Sequence, residues 1–180
     1  MAERIFLIGY RGTGKSTVAR LLAERLAWTW CDADQTLEER FGTTIRQIFA
    51  GEGEAGFRNK EAMILGDLAT RSRCVIATGG GVVLRRENRE RLKSGVTIWL
   101  TADPQTIWQR MQSDSSTAAR RPDLAEGGLR EIEGLLRVRS ALYEASADWR
   151  TDTTKQTPQQ VADKIFDWLQ GRRGADILGT

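Results

Sequence analysis

The sequence predicts an α/β fold, a parallel sheet covered by helices on both faces. Three observations carry this. Continuous apolar runs occur at Ile5–Ile8 and Cys74–Ala77, and Val96–Leu100 is apolar except at Thr97, the pattern of strands buried on both faces. Segments with helical spacing lie between these runs, so strand and helix alternate. Two of the runs stop at glycine, Gly9 and Gly79-Gly80-Gly81, where ligands of such sheets sit.

The elements follow in order. After the strand Ile5–Ile8, Val18, Leu21, Leu22 and Leu26 share one helical face. Trp28–Cys31 reads as a short second strand closing on Asp32. A polar helix is expected from Asp34 to Phe41, and another starting at Thr43-Thr44 through Ile45, Ile48 and Phe49. A longer helix covers about Glu54–Thr70, with Phe57, Ile64, Leu65 and Leu68 inward. Beyond the third strand, Cys74–Ala77, a helix is expected around Arg86–Lys93, then the strand Val96–Leu100. Pro104 opens a helix to about Met111, as proline does in a first turn. Residues 112–126 are polar and aperiodic and read as a mobile loop. A helix over Leu129–Ala147, a short strand near Trp149–Thr151 and a last helix from Pro158, with Val161, Ile165, Trp168 and Leu169 inward, complete the chain.

A length of 180 residues suits one domain with a full core. That domain is expected over 1–171, and Gly171-Arg172-Arg173-Gly174 begins a loose tail, 172–180. The net charge of +3 is too weak to indicate a nucleic-acid partner. Cys31 and Cys74 fall in strands expected to be buried, so they read as reduced core residues rather than a disulfide framework. No apolar run approaches the roughly 20 residues needed to span a bilayer, and the N-terminus lacks a signal-type pattern. A cytoplasmic protein with no membrane partner is expected, with a monomer as the default. Histidine is absent, so proton transfer would use Asp, Glu, Lys or water.

Gly9-Tyr10-Arg11-Gly12-Thr13-Gly14-Lys15-Ser16 matches G-x-x-x-x-G-K-[ST] at every required position. By chance such a match arises in roughly one chain of this length in a few hundred, and here it also falls between a strand and a helix. Glycines let the backbone wrap a phosphate with its N–H groups inward, and the helix presents its positive end. Lys15 can reach the β- and γ-phosphates and Ser16 can ligate Mg²⁺. Gly12, Thr13, Gly14, Lys15, Ser16 and Thr17 are therefore the candidate nucleotide-binding residues, with ATP and Mg²⁺ as the implied co-substrate and cofactor.

The other strand ends and two arginines bear on the second substrate. Asp32 and Asp34 share a face if the chain stays extended; one carboxylate could then hold Mg²⁺ through water and the other accept a hydroxyl proton. Alternatively Asp34 caps the next helix. Gly79, Gly80 and Gly81 suit a close approach of backbone to ligand. Arg58 is flanked by Glu54 and Glu61 at helical spacing, which reads either as a ligand arginine or as an exposed ion-pair cluster. Leu129, Ile132, Leu136, Arg139 and Tyr143 fall on one face, where Arg139 needs an acidic partner, from a ligand or from the chain. Arg120-Arg121-Pro122 in the aperiodic loop reads as a lid that closes on the site or as a solvated basic loop.

Together these residues resemble shikimate kinase. The resemblance rests on Gly-Tyr-Arg-Gly-Thr-Gly-Lys-Ser-Thr at 9–17, Asp-Ala-Asp-Gln at 32–35, Gly-Phe-Arg at 56–58 with Glu61, and Ala-Thr-Gly-Gly-Gly at 77–81, completed by Arg-Pro at 121–122 and Arg-x-x-x-Tyr at 139–143. It implies a three-layer phosphate-loop kinase fold of five parallel strands, a substrate-binding helical segment over about 33–61 and a lid over about 112–126. It implies transfer of the ATP γ-phosphate to the 3-hydroxyl of shikimate, a step toward chorismate and the aromatic amino acids. By position, Lys15 would bind the transferring phosphate, Ser16 ligate Mg²⁺, and Asp32 hold it through water. Asp34 would orient the hydroxyl or act as base, Arg58 and Arg139 would clamp the carboxylate, and Gly79, Gly80 and Gly81 would meet substrate through their backbone. Arg121 would be the lid arginine, Arg110 would stack on adenine, and the segment near Pro158 would form the adenine loop. The lid departs from the family's usual Arg-Pro-Leu-Leu, since Asp123-Leu124 follows Pro122. A gluconate-type kinase is the nearest rival. A GTPase-like switch is disfavoured, because Asn59-Lys60-Glu61-Ala62 lacks the final Asp of the guanine motif.

Overall fold

The structure, a computed structural model, describes residues 4–113 and 128–178. Five strands, β1 (Arg4–Ile8), β2 (Thr29–Asp32), β3 (Cys74–Ala77), β4 (Val96–Thr101) and β5 (Trp149–Asp152), form one sheet in the order β2-β3-β1-β4-β5. Every pairing is parallel. The helices are α1 (Lys15–Leu26), α2 (Ala33–Phe41), α3 (Ile45–Leu68), α4 (Arg86–Leu92), α5 (Pro104–Ser113), α6 (Gly128–Ser146) and α7 (Pro158–Leu178), with a 3₁₀ turn at Val82–Leu84. The five-stranded parallel sheet between helical layers is the expected architecture.

Alternation along β1 divides the core. Ile5 and Leu7 join Val75, Ala77, Ile98 and Leu100 under α1 and α7, where Val18, Leu22, Val161 and Ile165 pack. Phe6 and Ile8 join Cys74, Ile76 and Trp99 under α2, α3 and α6, with Leu37, Phe57, Leu65 and Tyr143. Each fully buried Leu or Ile contributes roughly 1.5–3 kcal/mol, so both faces of β1 are held strongly. The Trp149 and Trp168 rings stack at 5.1 Å and tie α7 to the sheet edge.

Several boundaries differ from the expectation. β2 is an edge strand with Thr29 and Trp30 exposed, because it pairs with β3 alone. Cys31 is therefore half-buried rather than core, although its thiol lies 3.7 Å from that of buried Cys74; both are free. The two helices expected across 43–70 form the single element α3, broken at Gly53, whose φ of 69° and ψ of −173° are not helical. Thr44 starts it with a reciprocal capping box to Gln47. Helix α7 continues through 172–178, where the sequence reads as a loose tail. A helix already docked through Val161, Ile165 and Leu169 extends by one hydrogen bond per added residue, which overrides Gly171 and Gly174. Arg172 adds contacts to Asp148, at 3.5 Å, and to the Trp168 ring.

Candidate active site

The loop between β1 and α1 has the shape its glycines allow. Gly9, Gly12 and Gly14 have φ of 137°, 76° and 87°, values that side-chain-bearing residues rarely adopt. A β-carbon on Gly9 would meet the Leu100 carbonyl oxygen at 2.3 Å, so this loop lies tight against β4. Gly14 precedes α1 with no side-chain cap and no acidic residue in the first turn. The first N–H groups of α1 are thus left for an anion. Buried Lys15 donates to the Gly9 and Tyr10 carbonyls at 2.9 and 2.8 Å, folding over the loop it serves. Thr13 closes the turn on the Tyr10 carbonyl at 2.7 Å. Thr17 is exposed on the first turn.

Asp32, at the carboxyl end of β2, contacts the Ser16 hydroxyl through Oδ2. Its Oδ1 accepts the N–H groups of Asp34 and Gln35 at 3.0 and 3.1 Å. Asp32, not Asp34, is therefore the cap of α2. The chain turns helical at Ala33, so the shared-face argument for the two aspartates fails. Asp34 reaches the site from the first turn of α2 instead.

The residues converge on the glycines after β3. A β-carbon on Gly79 would lie 2.9 Å from both Asp34 Oδ1 and Glu61 Oε1. One on Gly80 would lie 3.3 Å from the Arg11 amide nitrogen in the phosphate loop, and one on Gly81 would lie 2.2 Å from Arg58 Nη1. Three successive glycines thus face the acid, the nucleotide loop and an arginine, and a side chain at any of them would displace that neighbour. Arg58 is 8% exposed and donates to Glu61 at 2.8 Å and to Glu54 at 3.2 Å. The ion-pair cluster is real, but its Arg58–Glu61 pair is buried at this shelf and only Glu54 is exposed. Arg139, from α6, donates to the Gly80 carbonyl at 3.4 Å, and its guanidinium lies over the Tyr10 ring at 6.0 Å.

Arg110 donates to the Thr153 carbonyl and hydroxyl at 2.7 and 2.9 Å and to the Gly12 carbonyl at 3.4 Å. It ties the phosphate loop to the connection between β5 and α7, which Pro158 ends at the first position of α7. Arg121, Arg120 and nearly all of the expected lid lie outside the described residues. Sequence reading gave Glu61 no role of its own; its Arg-x-x-Glu spacing from Arg58 was the available signal. Tyr143 was read as part of a helical face and of the Arg-x-x-x-Tyr motif, with no role assigned to it. It is buried, stacks on Trp99 and donates its hydroxyl to the Gly80 carbonyl. Burial pushes its phenol up to about 12.

A family model described as shikimate kinase matches residues 11–170. The chain belongs to the shikimate kinase family. It is 42% identical to a shikimate kinase of Symbiobacterium thermophilum over 94% of this chain and 99% of the relative. A solved shikimate kinase from Acinetobacter baumannii, in complex with shikimate, superposes with a TM-score of 0.90 at 35% identity, covering 96% of this chain and 95% of that one. A gluconokinase from Sinorhizobium meliloti has a TM-score of 0.62 at 15% identity, which shows the fold alone. Family and fold agree with the resemblance read from the motifs.

Proposed function

We propose that this chain transfers the γ-phosphate of ATP to the 3-hydroxyl of shikimate, giving ADP and shikimate 3-phosphate on the way to chorismate and the aromatic amino acids. The observation that carries this is the glycine shelf: Gly79, Gly80 and Gly81 bring Asp34, the phosphate loop and Arg58 into contact with three consecutive residues. Phosphoryl transfer depends on positioning and charge stabilisation, which this chain supplies without histidine.

Asp34 accepts a hydrogen bond from the acceptor hydroxyl and orients it, or takes its proton, beside the phosphate loop. Arg58 and Arg139 clamp the carboxylate, a bidentate task suited to guanidinium. Glu61 and Glu54 hold Arg58 on one side and leave its planar fork directed at the shelf. Lys15 exchanges the Gly9 and Tyr10 carbonyls for phosphate oxygens when nucleotide enters. Gly12, Thr13, Gly14, Ser16 and Thr17 cradle the phosphates, Arg110 and the segment at Pro158 flank the adenine, and Arg121 closes with the lid over 112–126.

The Ser16 hydroxyl and the Asp32 carboxylate are in contact, an all-oxygen pair suited to Mg²⁺. Among the described residues no group of three or more His, Cys, Asp or Glu gathers as a self-sufficient metal cage. Ser16 and, through water, Asp32 would hold the ion, and nucleotide oxygens would complete its shell. When bound, Mg²⁺ neutralises charge on the phosphates. Among the described residues no helix is long and apolar enough to cross a membrane. The reading takes the enzyme to be a cytoplasmic monomer acting on small molecules, without nucleic-acid partners.

Coupled ADP release with Mg²⁺-ATP tests the reading, comparing shikimate, gluconate and no acceptor. Release stimulated by shikimate alone is expected. Asp34→Asn and Arg139→Ala each remove most turnover while ATP still binds. Equal stimulation by gluconate, or a parallel loss of ATP affinity in those variants, would refute the roles assigned.

A further inference from the structure

We infer that Tyr143 is a positioning residue for phosphoryl transfer: its hydroxyl fixes the Gly80 carbonyl and thereby aims the Gly81 N–H into the site. The inference rests on the function proposed above. In a trans peptide the C=O of one residue and the N–H of the next point in opposite directions. Holding the Gly80 carbonyl toward α6 therefore turns the Gly81 N–H away from α6, to the side where Asp34, Arg58 and the phosphate loop meet the shelf.

Two donors hold that carbonyl, Tyr143 and Arg139, one helical turn apart on α6. They differ in grip. Arg139 reaches at 3.4 Å, is half-buried and also belongs to the carboxylate clamp, so it is drawn toward ligand. Tyr143 is completely buried, and its ring is stacked on Trp99 at 5.6 Å and 24° between planes. It has no freedom to leave. Its raised phenol stays protonated, and so remains a donor, across the range in which kinases are assayed.

The shelf needs such an anchor. Three consecutive glycines have the broadest backbone freedom available, so the peptide between Gly80 and Gly81 resists rotation only through its partners. Among the described residues the N–H groups of Gly79, Gly80 and Gly81 donate to no protein acceptor, although Gly79 and Gly81 accept from Val82 and Leu84. Backbone donors held in place by the fold stabilise negative charge as it develops. A donor fixed by the fold needs no reorientation during the reaction.

Tyr143→Phe tests this, because it removes the hydroxyl and retains the ring on Trp99. The expected result is a fall in kcat of about ten-fold or more, with KM for shikimate and for ATP each within about three-fold of the parent. 3-Fluorotyrosine placed at 143 retains the hydroxyl, and it is expected to hold kcat within about three-fold of the parent, which separates the hydrogen bond from packing. The fluorotyrosine protein also serves if the Phe variant fails to fold. A parent-like kcat in Tyr143→Phe, or a fluorotyrosine protein as slow as the Phe variant, overturns the inference alone. A parent chain without shikimate-dependent turnover overturns the proposed function and this inference with it.

Discussion

Substituting Gly81 by alanine isolates one contact. The Gly81 backbone, φ −101° and ψ 4°, is open to alanine, so the chain itself is not strained. The added β-carbon would lie 2.2, 2.4 and 2.5 Å from Nη1, Nη2 and Cζ of Arg58. Ordinary carbon contacts lie near 3.5 Å, so the guanidinium must retreat by roughly 1 Å. That movement stretches or breaks its 2.8 Å bond to Glu61 and tilts the fork away from its proposed contact with the substrate carboxylate. A hydrogen bond to a charged group is worth roughly 1.5–3 kcal/mol. At about 1.4 kcal/mol per ten-fold, kcat/KM for shikimate should fall by roughly ten- to 150-fold. Nucleotide affinity should hold, because the phosphate loop touches Gly80 rather than Gly81. The decisive assay is a cycle with Arg58→Ala, read by ADP release. Once the guanidinium is gone, the alanine at 81 has room, and its further cost should shrink to less than about three-fold. Additive losses across that cycle would show that Arg58 is not what the glycine accommodates.

Asp32 has two separable tasks. Asp32→Ala should lose about 1 kcal/mol of stability with the α2 cap, read by chemical denaturation, whereas Asp32→Asn keeps a capping oxygen and the stability. Both should raise the Mg²⁺ concentration needed for half-maximal turnover. Gly9→Ala should destabilise the whole domain by roughly 2–5 kcal/mol, since its β-carbon meets the Leu100 backbone oxygen and its φ is left-handed; an unchanged denaturation midpoint would contradict the packing. The chain has two tyrosines, and burial pushes both phenols up, Tyr143 from 10.0 to about 12. Below the ordinary value both states are protonated and nothing is lost. As pH rises beyond it the unfolded phenol ionises first, so stability falls by about 1.4 kcal/mol per unit until the folded phenol titrates. Tyr143→Phe should flatten that alkaline limb, as measured by denaturation at a series of pH values.

Local features were the legible ones. The phosphate loop is contiguous, and its glycines encode the positive-φ turns directly, so motif and geometry coincide. Strands buried on both faces announced themselves as apolar runs at β1, β3 and β4. What failed was local chemistry inferred from an assumed backbone state. Asp32 and Asp34 share a face only in an extended chain, and the cap at Asp32 is what ends the strand and starts α2. Trp28–Cys31 looked buried because it is apolar, yet pairing count decides burial, and β2 pairs once. Arg58 does form the ion pairs its spacing offered, but the partner at Glu61 is buried with it while Glu54 stays exposed, a difference that spacing alone does not encode. Tyr143 was legible as a motif position but its contact was not, because a tyrosine on an apolar stripe has the same spacing whether or not its hydroxyl meets a backbone carbonyl 63 residues away.

The strand order explains why an acid clamp and a nucleotide loop can serve one small acceptor. β2, β3 and β1 are successive neighbours, and their carboxyl ends carry Asp32, the glycine shelf and the phosphate loop. Neighbouring strands lie about 4.8 Å apart, so the three ends span roughly 10 Å, the scale of one hydroxy acid beside one transferring phosphate. That span alone does not separate a ring from an open chain of similar size. Rigidity does. Arg58 is held by two glutamates and pressed against Gly81, while Asp34 is held against Gly79, two residues along the same shelf. The distance between arginine and acid is thus set by the protein. A cyclic hydroxy acid brings its carboxylate and hydroxyl at a fixed separation, whereas an open-chain hexonate must freeze several rotors to match, at a cost of roughly 2–4 kcal/mol. A preference for shikimate over gluconate is then expected from a stiff shelf meeting a stiff substrate, and disturbing the shelf at Gly81, where it meets Arg58 and not the phosphate loop, should erode that preference before it erodes nucleotide binding.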